Sequence, residues 1–311
     1  MQVSPTIPAT QPLYSAWVRL SAVARGCALM LLSTLMFAAM HAAIRHTTQH
    51  VPAVEVAFFR NLFGLVVIAP LLVRYGAGVF RTSKLSLHVL RSVLNVVSML
   101  AFFIGLSMTP IARATALSFT APLFTALLGV FFLGEVFRWR RWTAIIVGFI
   151  GALMILRPGF EPLDMGGVLI VVSSLLWSLA VIDIKVLART ESSLTITAYV
   201  TVLLIPLTLG PALMVWQTPA AEMWGWLIFI GVIGTLGQFA VTEALKLADT
   251  TALMPFDFLK LVWATILGAT LFAEIPDLLT WTGAAIVFGS SLYIAWREGV
   301  VRKEKKKAGE V

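Results

Sequence analysis

Ten long apolar blocks run through the sequence, and each is close to the length of helix that crosses a lipid bilayer. About 20 apolar residues span the roughly 30 Å of hydrocarbon in a typical membrane. Within hydrocarbon, backbone groups are satisfied only in helices or closed barrels, and this sequence lacks the alternating ten-residue pattern of a barrel. We therefore predict an all-α membrane protein. The ten predicted spans cover residues 24–46, 52–74, 86–108, 111–134, 140–157, 165–187, 193–215, 223–246, 250–273 and 278–296.

The composition argues against an ordinary soluble protein. Of the 311 residues, 59% are hydrophobic and 12% are charged, and the mean hydropathy is +0.93. Soluble domains carry about 25% charged residues. The predicted linkers are short, so we expect no soluble domain between spans. Residues 1–23 are predicted to form a polar tail and residues 297–311 a basic tail, and the first block is expected to be retained as a span rather than cleaved.

Positive charge is concentrated on one side of the predicted topology. If the N-terminus is cytoplasmic, the opposite side receives only Arg45, Arg113 and Arg157 near its helix ends. By the positive-inside rule, both termini are therefore predicted to be cytoplasmic. The basic C-terminal tail is more typical of a topology anchor near lipid headgroups than of nucleic-acid binding. The expected partners are thus membrane lipid and a small-molecule solute.

The two halves of the chain, residues 24–157 and 165–296, resemble each other at an offset of about 140 residues. Each half contains five predicted spans, an odd number, so the second half must enter the membrane upside down relative to the first. Such inverted repeats are typical of secondary transporters, which bind solute near the midplane between the halves and expose it alternately to each side. The matched positions include Gly129, Glu135 and Trp142 with Gly268, Glu274 and Trp281, Phe37 with Trp177, Arg45 with Lys185, Ile44 with Ile184, and Ala101 with Ala240.

Three segments carry a family resemblance. They are "VPAVEVAFFRNLFG" at the start of span two, "TAPLFTALLGVFFLGE" in span four and "LKLVWATILGATLFAE" in span nine. With the five-plus-five repeat, residues 24–297 resemble the EamA type of the drug/metabolite transporter superfamily, and are most similar to its bacterial aromatic amino-acid exporters.

This resemblance implies a ten-helix basket in the bacterial inner membrane, with spans one to four and six to nine around a central cavity. Spans five and ten would lie outside the basket. It also implies transport without a cofactor, and we expect a single chain to suffice. The halves differ at two prolines, because Pro122 aligns with Leu261 and Pro255 with Ala116. The two halves therefore cannot bend identically.

Span nine carries two opposite charges near its middle. Charges inside spans are costly and are functional candidates by default. Asp257 and Lys260 lie three residues apart on one helix face. They could neutralise each other as a packing pair, or Lys260 could bind the carboxylate and Asp257 the ammonium of an amino acid. Pro255 removes a backbone donor beside them, and Trp263 follows one turn later.

Other polar residues within the spans leave two interpretations open. His41 could couple protons or be a packed neutral ring. Polar pairs on spans three and eight could hydrogen-bond a substrate or join helices. Arg60 could contact substrate or set the depth of its helix by pairing with Glu55, and Glu243 could gate or form a surface ion pair with Lys246. The two polar pairs are Asn95 with Ser98, continued by Phe102, and Gln238 with Thr242.

Aromatic residues at matched positions of the two halves could line a cavity for aromatic or flat cationic solutes. The alternative for each ring is packing against lipid. The matched pairs are Phe37 with Trp177 and Phe58 with Tyr199.

The sequence contains no phosphate-binding loop, no catalytic serine motif and no His/Cys metal cluster, so we predict neither an enzyme nor a metal or cofactor site. The predicted function is a secondary transporter that exports amino acids with aromatic or other hydrophobic side chains. A multidrug or organic-cation exporter of the same superfamily is an alternative, and a channel or membrane scaffold is an alternative of another class. Facilitated exchange and proton antiport are both compatible with the sequence.

Overall fold

A computed structural model describes residues 20–76, 80–133, 139–156, 164–187, 190–191, 193–247, 253, 256–257 and 259–307. These residues form helices and connecting segments, with no strand among them. The helices are α1 (Ala22–Thr47), α2 (Ala53–Tyr75), α3 (Leu85–Met108), α4 (Ile111–Ser118), α5 (Ala121–Leu133), α6 (Trp139–Leu156), α7 (Met165–Leu187), α8 (Ser193–Met214), α9 (Met223–Leu247), α10 (Leu259–Phe272) and α11 (Leu278–Lys307).

Each of the ten predicted spans contains a helical segment, although most of 250–258 in span nine lies outside the described residues. Seven segments of the described chain are long and apolar enough to cross a membrane, and the shorter apolar helices 142–156, 259–272 and 278–294 match predicted spans five, nine and ten. Helices α4 and α5 together form span four. The prediction of an all-helical membrane protein is therefore confirmed.

Span four breaks at Phe119 and Thr120, which form a turn between α4 and α5. Pro122 accounts for this break because it lacks the amide that would continue the helical ladder. Hydroxyl groups from neighbouring helices donate to carbonyl oxygens at the break: Ser291 Oγ to Phe119 at 3.0 Å and Ser178 Oγ to Ala121 at 2.8 Å. A break in the middle of a span is tolerated when other helices satisfy its polar groups in this way.

The last helix is longer than its predicted span. Helix α11 continues to Lys307, through most of the segment 297–311 that we predict as a basic tail. At 1.5 Å per residue, its 30 residues extend about 45 Å, so the helix outruns the hydrocarbon. The sequence beyond the span is rich in Arg, Lys and Glu, which are good helix formers in water as well.

The helices pack in pairs that join the first half of the chain to the second. Helix α1 packs against α9, α3 against α7, α2 against α8, and α6 against α11. Glycines permit two of these close approaches. A Cβ on Gly105 of α3 would lie 2.7 Å from the Gly166 carbonyl oxygen of α7. A Cβ on Gly283 of α11 would lie 2.7 Å from the Gly151 carbonyl oxygen of α6. Small residues at such contacts are the usual basis of helix association in membranes.

One end of the bundle is held together by ionic and helix-end contacts. Arg45, near the end of α1, pairs with Glu274 at 3.2 Å and also donates to the Ser107 carbonyl of α3. The other Glu274 oxygen accepts the amide of Ile111 at the start of α4, where a negative charge is favourable, at 2.9 Å. Glu274 reaches this position because α10 ends in a left-handed residue, Ala273, with φ of 55°. The network therefore joins α1, α3, α4 and the end of α10.

Candidate functional site

The two charges predicted in span nine pair with each other at the start of α10. Lys260 Nζ contacts Asp257 Oδ1, and both side chains are mostly buried. The Lys260 ammonium also lies 5.5 Å from the centre of the Phe37 ring on α1, within the range of a cation–π contact. One turn after Lys260, the indole nitrogen of Trp263 is buried and has no hydrogen-bond partner within the described ranges. The start of α10 and the residue Asp257 before it therefore present an ammonium, a carboxylate and an indole N–H to the same side.

Two glycines of α9 allow α1 to approach closely. A Cβ on Gly234 would lie 2.5 Å from Met40 Sδ, and one on Gly237 would lie 3.3 Å from Met36 Cβ and 3.6 Å from the Phe37 ring. The middle of α1 therefore lies between α9 and α10. This packing places Phe37 next to Lys260.

His41 lies one turn beyond Phe37 on the same face of α1. Its ring centre is 5.0 Å from that of Phe102 on α3. Lys260 and Arg60 are both close enough to act on the imidazole electrostatically. His41 therefore has neighbouring groups on α2, α3 and α10.

Arg60 donates to Asn61 Oδ1 at 3.0 Å and lies 3.7 Å from Met99 Sδ on α3. Both partners are neutral. The predicted pairing with Glu55 is wrong, because Glu55 accepts the Gln217 amide at 2.5 Å and its other oxygen has no partner. Residues five apart point to different faces of a helix, so this pair could not form readily on α2.

The structure separates several other predicted site residues from this central cluster of Phe37, His41, Arg60, Asp257 and Lys260. Ser98 and Ser173 of α7 exchange two hydrogen bonds. The Ser98 hydroxyl donates to the Ser173 carbonyl at 2.9 Å, and the Ser173 hydroxyl donates to the Ser98 carbonyl at 2.7 Å. Ser98 therefore joins two helices. Asn95 is half-buried one turn earlier, while Gln238, Thr242 and Glu243 are exposed on α9, and Trp177 is 42% exposed on α7.

The matched aromatic residues Phe58 and Tyr199 lie in different surroundings. Phe58 packs against Phe59 and Trp216, with ring centres 5.2 and 6.1 Å away. Tyr199 stacks on His88 at 4.4 Å, near the start of α3. His88 precedes Met99 by eleven residues, so Tyr199 lies about 16 Å along α3 from the central cluster. Pro255 and Glu135 lie outside the described residues.

Sequence reasoning missed two kinds of residue. Asn61 and Met99 complete the surroundings of Arg60, but neither carries a charge that would have drawn notice. His88, Arg91 and Asp183 are buried together at the α3–α7–α8 junction. All three fall inside predicted spans, and the cost of placing an ionisable group there was the available signal.

One cleft lies away from the central cluster. It has a volume of about 190 Å³ and is lined by Arg113, Glu274 and neighbouring residues between α4 and the α10–α11 connection. Arg113 and Glu274 are already engaged in internal contacts. We therefore place the candidate site at the central cluster, where polar groups of α1, α2 and α10 have few internal partners. Among the described residues, no three His, Cys, Asp or Glu side chains converge as a metal site requires.

Comparison with known proteins assigns the family. The model of the EamA-like transporter family matches residues 24–157 and again residues 164–296. This chain belongs to the EamA-like transporter family. EamA membership makes it a solute transporter and not an enzyme, in a family of multi-pass membrane proteins.

Three curated EamA relatives differ in what they are named for. An S-adenosylmethionine uptake transporter of Rickettsia bellii is 33% identical over 90% of this chain and 96% of its own. A riboflavin transporter of Brucella anthropi is 36% identical over 80% and 89%. The pseudopaline exporter CntI of Pseudomonas aeruginosa is 27% identical over 84% and 93%. We expected a specific likeness to aromatic amino-acid exporters, but none of these three relatives is named for that activity.

A solved crystal structure has a similar fold. It aligns over 88% of this chain and 96% of its own with a TM-score of 0.58, at 19% identity. At this identity, the likeness concerns the fold alone.

Proposed function

We propose that this EamA chain is a secondary transporter for organic solutes that combine a carboxylate with a flat or aromatic portion, aromatic amino acids among them. The observation that carries this proposal is the Lys260–Asp257 pair next to Phe37. Lys260 binds the solute carboxylate, and Asp257 binds an ammonium group where the solute has one. The rings of Phe37 and Phe102 and the free indole N–H of Trp263 contact the flat portion.

The charge of the central cluster favours an anionic group over an organic cation. Arg60 and Lys260 carry two positive charges, and Asp257 carries one negative charge. Arg60 has only the neutral partners Asn61 and Met99 in the described part of the chain. A guanidinium inside a membrane protein without an acid partner is a ready site for a carboxylate. The excess of positive charge argues against the multidrug or organic-cation alternative.

The solutes named for the relatives differ in whether they have both the carboxylate and the flat portion that we propose. S-adenosylmethionine has an amino-acid head group and a flat base, whereas riboflavin has a flat ring system without a carboxylate. The relatives include both uptake and export proteins. Solute preference and the direction of net flux are therefore separate outcomes of the transport experiment below.

We also propose that the halves form an inverted repeat with both termini in the cytoplasm, and that the transporter works by alternating access. In support, the family model matches once in each half. The helix pairing also supports it, because a pseudo-two-fold axis would exchange the α1–α9 pair with the α7–α3 pair. The same axis would map the α2–α8 pair and the α6–α11 pair onto themselves.

Single cysteines at positions 135 and 275 are expected to react from opposite faces of the membrane. In a Cys27→Ser background, Glu135→Cys should be labelled by an impermeant maleimide from the cytoplasmic face and Ile275→Cys from the other face. Ile275 is 84% exposed, so its labelling reports on topology and not on burial. Labelling of both positions from one face would contradict the inverted repeat.

Purified protein in liposomes is expected to carry labelled tryptophan, phenylalanine and S-adenosylmethionine with saturable kinetics. Threonine keeps the carboxylate but lacks the ring, riboflavin keeps the ring but lacks the carboxylate, and a flat organic cation carries the opposite charge. Each of these three should move at least about tenfold more slowly, because losing one specific contact of about 1.4 kcal/mol has that effect.

Other results would contradict parts of this proposal. Fastest transport of riboflavin would remove the carboxylate requirement, and fastest transport of the cation would restore the organic-cation alternative. Flux without saturation would indicate a channel, and no flux of any of the six solutes would overturn the proposed function.

A further inference from the structure

A second group of buried ionisable residues lies apart from the central cluster, where α3, α7 and α8 meet. His88 is 1% exposed, Asp183 is 7% exposed and Arg91 is 8% exposed. His88 and Arg91 belong to the first two turns of α3, and Asp183 to the last two turns of α7. Neither solute binding as proposed above nor the network around Glu274 involves any of them.

The internal contacts of this group are incomplete. Arg91 Nη1 donates to the Ile196 carbonyl of α8 at 2.7 Å instead of to the Asp183 carboxylate, although the two charges act on each other electrostatically. Four buried atoms have no hydrogen-bond partner among the described residues: Arg91 Nε, Asp183 Oδ2 and both ring nitrogens of His88. An unsatisfied buried polar group costs about 1–3 kcal/mol, so four in one junction are unusual for a purely structural contact.

The fold itself does not require these charges. At the sequence offsets that relate the two halves, Asp183 corresponds to Ala43, His88 to Leu227 and Arg91 to Ile230. These three counterparts are fully or almost fully buried, and all are apolar. The same helix packing is thus achieved with hydrocarbon side chains in one half of the chain and with three ionisable groups in the other.

The titratable and charged neighbours of the group come from each surrounding segment. Glu191, before α8, acts on His88, and its carboxylate accepts the Thr82 hydroxyl at 2.7 Å. Tyr199 of α8 stacks on His88 and donates to the Phe80 carbonyl at 2.6 Å. The remaining ionisable residues on adjoining segments are Arg81 and Lys84 before α3, Arg74 near the end of α2, and Lys185 and Arg189 near the end of α7. The side chain of Lys185 and the whole of Arg189 lie outside the described part of the chain.

We propose that Asp183, with Arg91 and His88, is a proton-binding site that couples solute transport to proton movement. The inference rests on the proposed function. Asp183 accepts a proton from one side of the membrane and releases it to the other, which converts its carboxylate to the neutral acid and back. Ionised Asp183 attracts Arg91, whereas neutral Asp183 leaves Arg91 on the Ile196 carbonyl of α8. Because Asp183 lies on α7, Arg91 on α3 and the Ile196 carbonyl on α8, this change alters how α3 packs between α7 and α8.

Asp183→Asn is expected to separate coupling from solute binding. In liposomes with tryptophan as the probe, a pH difference of one unit should drive about tenfold accumulation by the unaltered protein per coupled proton. Asp183→Asn should abolish this accumulation. It should keep the rate of exchange of internal for external tryptophan within about twofold, because it removes no contact with the solute and even tenfold corresponds to only about 1.4 kcal/mol. Asp164→Asn is the matched control, since Asp164 precedes the same helix and pairs with Arg113 at 3.5 Å. It should retain both activities.

Gradient-driven accumulation by Asp183→Asn, or no response of the unaltered protein to the gradient, would overturn the proposal. A second measurement does not depend on the solute. Infrared difference spectra of the purified protein between acidic and alkaline pH should contain a protonated-carboxyl band that Asp183→Asn lacks. If tryptophan does not exchange at all, the proposed function fails on its own, and absence of the infrared band would still overturn the proton site.

Discussion

Replacing Lys260 with Met is expected to raise the KM for tryptophan about 10- to 100-fold, because a hydrogen bond to a charged group contributes about 1.5–3 kcal/mol. The ammonium of Lys260 is the proposed partner of the solute carboxylate. Its side chain is 25% exposed and that of Asp257 is 17% exposed, so we do not expect the full loss seen for a completely buried ion pair. Initial rates of tryptophan uptake into liposomes over a range of concentrations provide the measurement.

Two further variants distinguish solute binding from packing of the pair. Lys260→Arg keeps the charge and should retain most of the affinity. In the double variant Asp257→Asn with Lys260→Met, neither charge remains, so no unpaired carboxylate is left behind. If Lys260 binds the solute, the double variant stays impaired. A double variant with the KM of the unaltered protein would show that the pair serves only in packing.

Replacing Gly105 with Leu is expected to prevent stable association of α3 with α7. A Cβ at Gly105 would lie 2.7 Å from the Gly166 carbonyl oxygen and 2.8 Å from Ile170 Cγ1, so the helices must move apart before any larger side chain is accommodated. Overpacking of this kind costs about 1–3 kcal/mol or more, and the Ser98–Ser173 hydrogen bonds depend on the same contact. The fraction of protein that stays monodisperse in detergent after heating should fall sharply.

Gly289→Leu is the matched control for this experiment. Gly289 lies within α11, where an added Cβ would meet nothing within 4 Å. Leu is a better helix former than Gly, so this variant should be as stable as the unaltered protein or more stable. Equal loss of monodisperse protein in both variants would contradict a specific role of the α3–α7 contact.

The positions of the spans could be predicted from the sequence because they depend on local physics. Hydrocarbon forces each apolar block to satisfy its own backbone, so block length and composition suffice. Pro122 gave the same kind of local information, and the helix breaks beside it. The pairing of Asp257 with Lys260 was predictable for the same reason, since residues three apart share a helix face.

The wrong partner of Arg60 and the overlooked Asp183 show where such reasoning stops. Arg60 meets Met99 from a helix 39 positions away in the chain, and Glu55 turns to the Gln217 amide. Which face of a helix meets its neighbour depends on rotation about the helix axis. All-round apolar helices carry little amphipathic pattern from which that rotation could be read.

The sequence by itself determined the ten apolar spans, the family and the charged face of span nine, because each follows from residues close together in the chain. Only the tertiary structure decided that Phe37 covers Lys260, that Arg60 contacts the neutral Asn61 and Met99, and that Asp183 shares a buried junction with His88 and Arg91. These contacts join residues far apart in the chain; Phe37 and Lys260 are more than 200 positions apart. They are set by close helix crossings, such as those at Gly234 and Gly237, where the absence of a side chain allows two helices to meet.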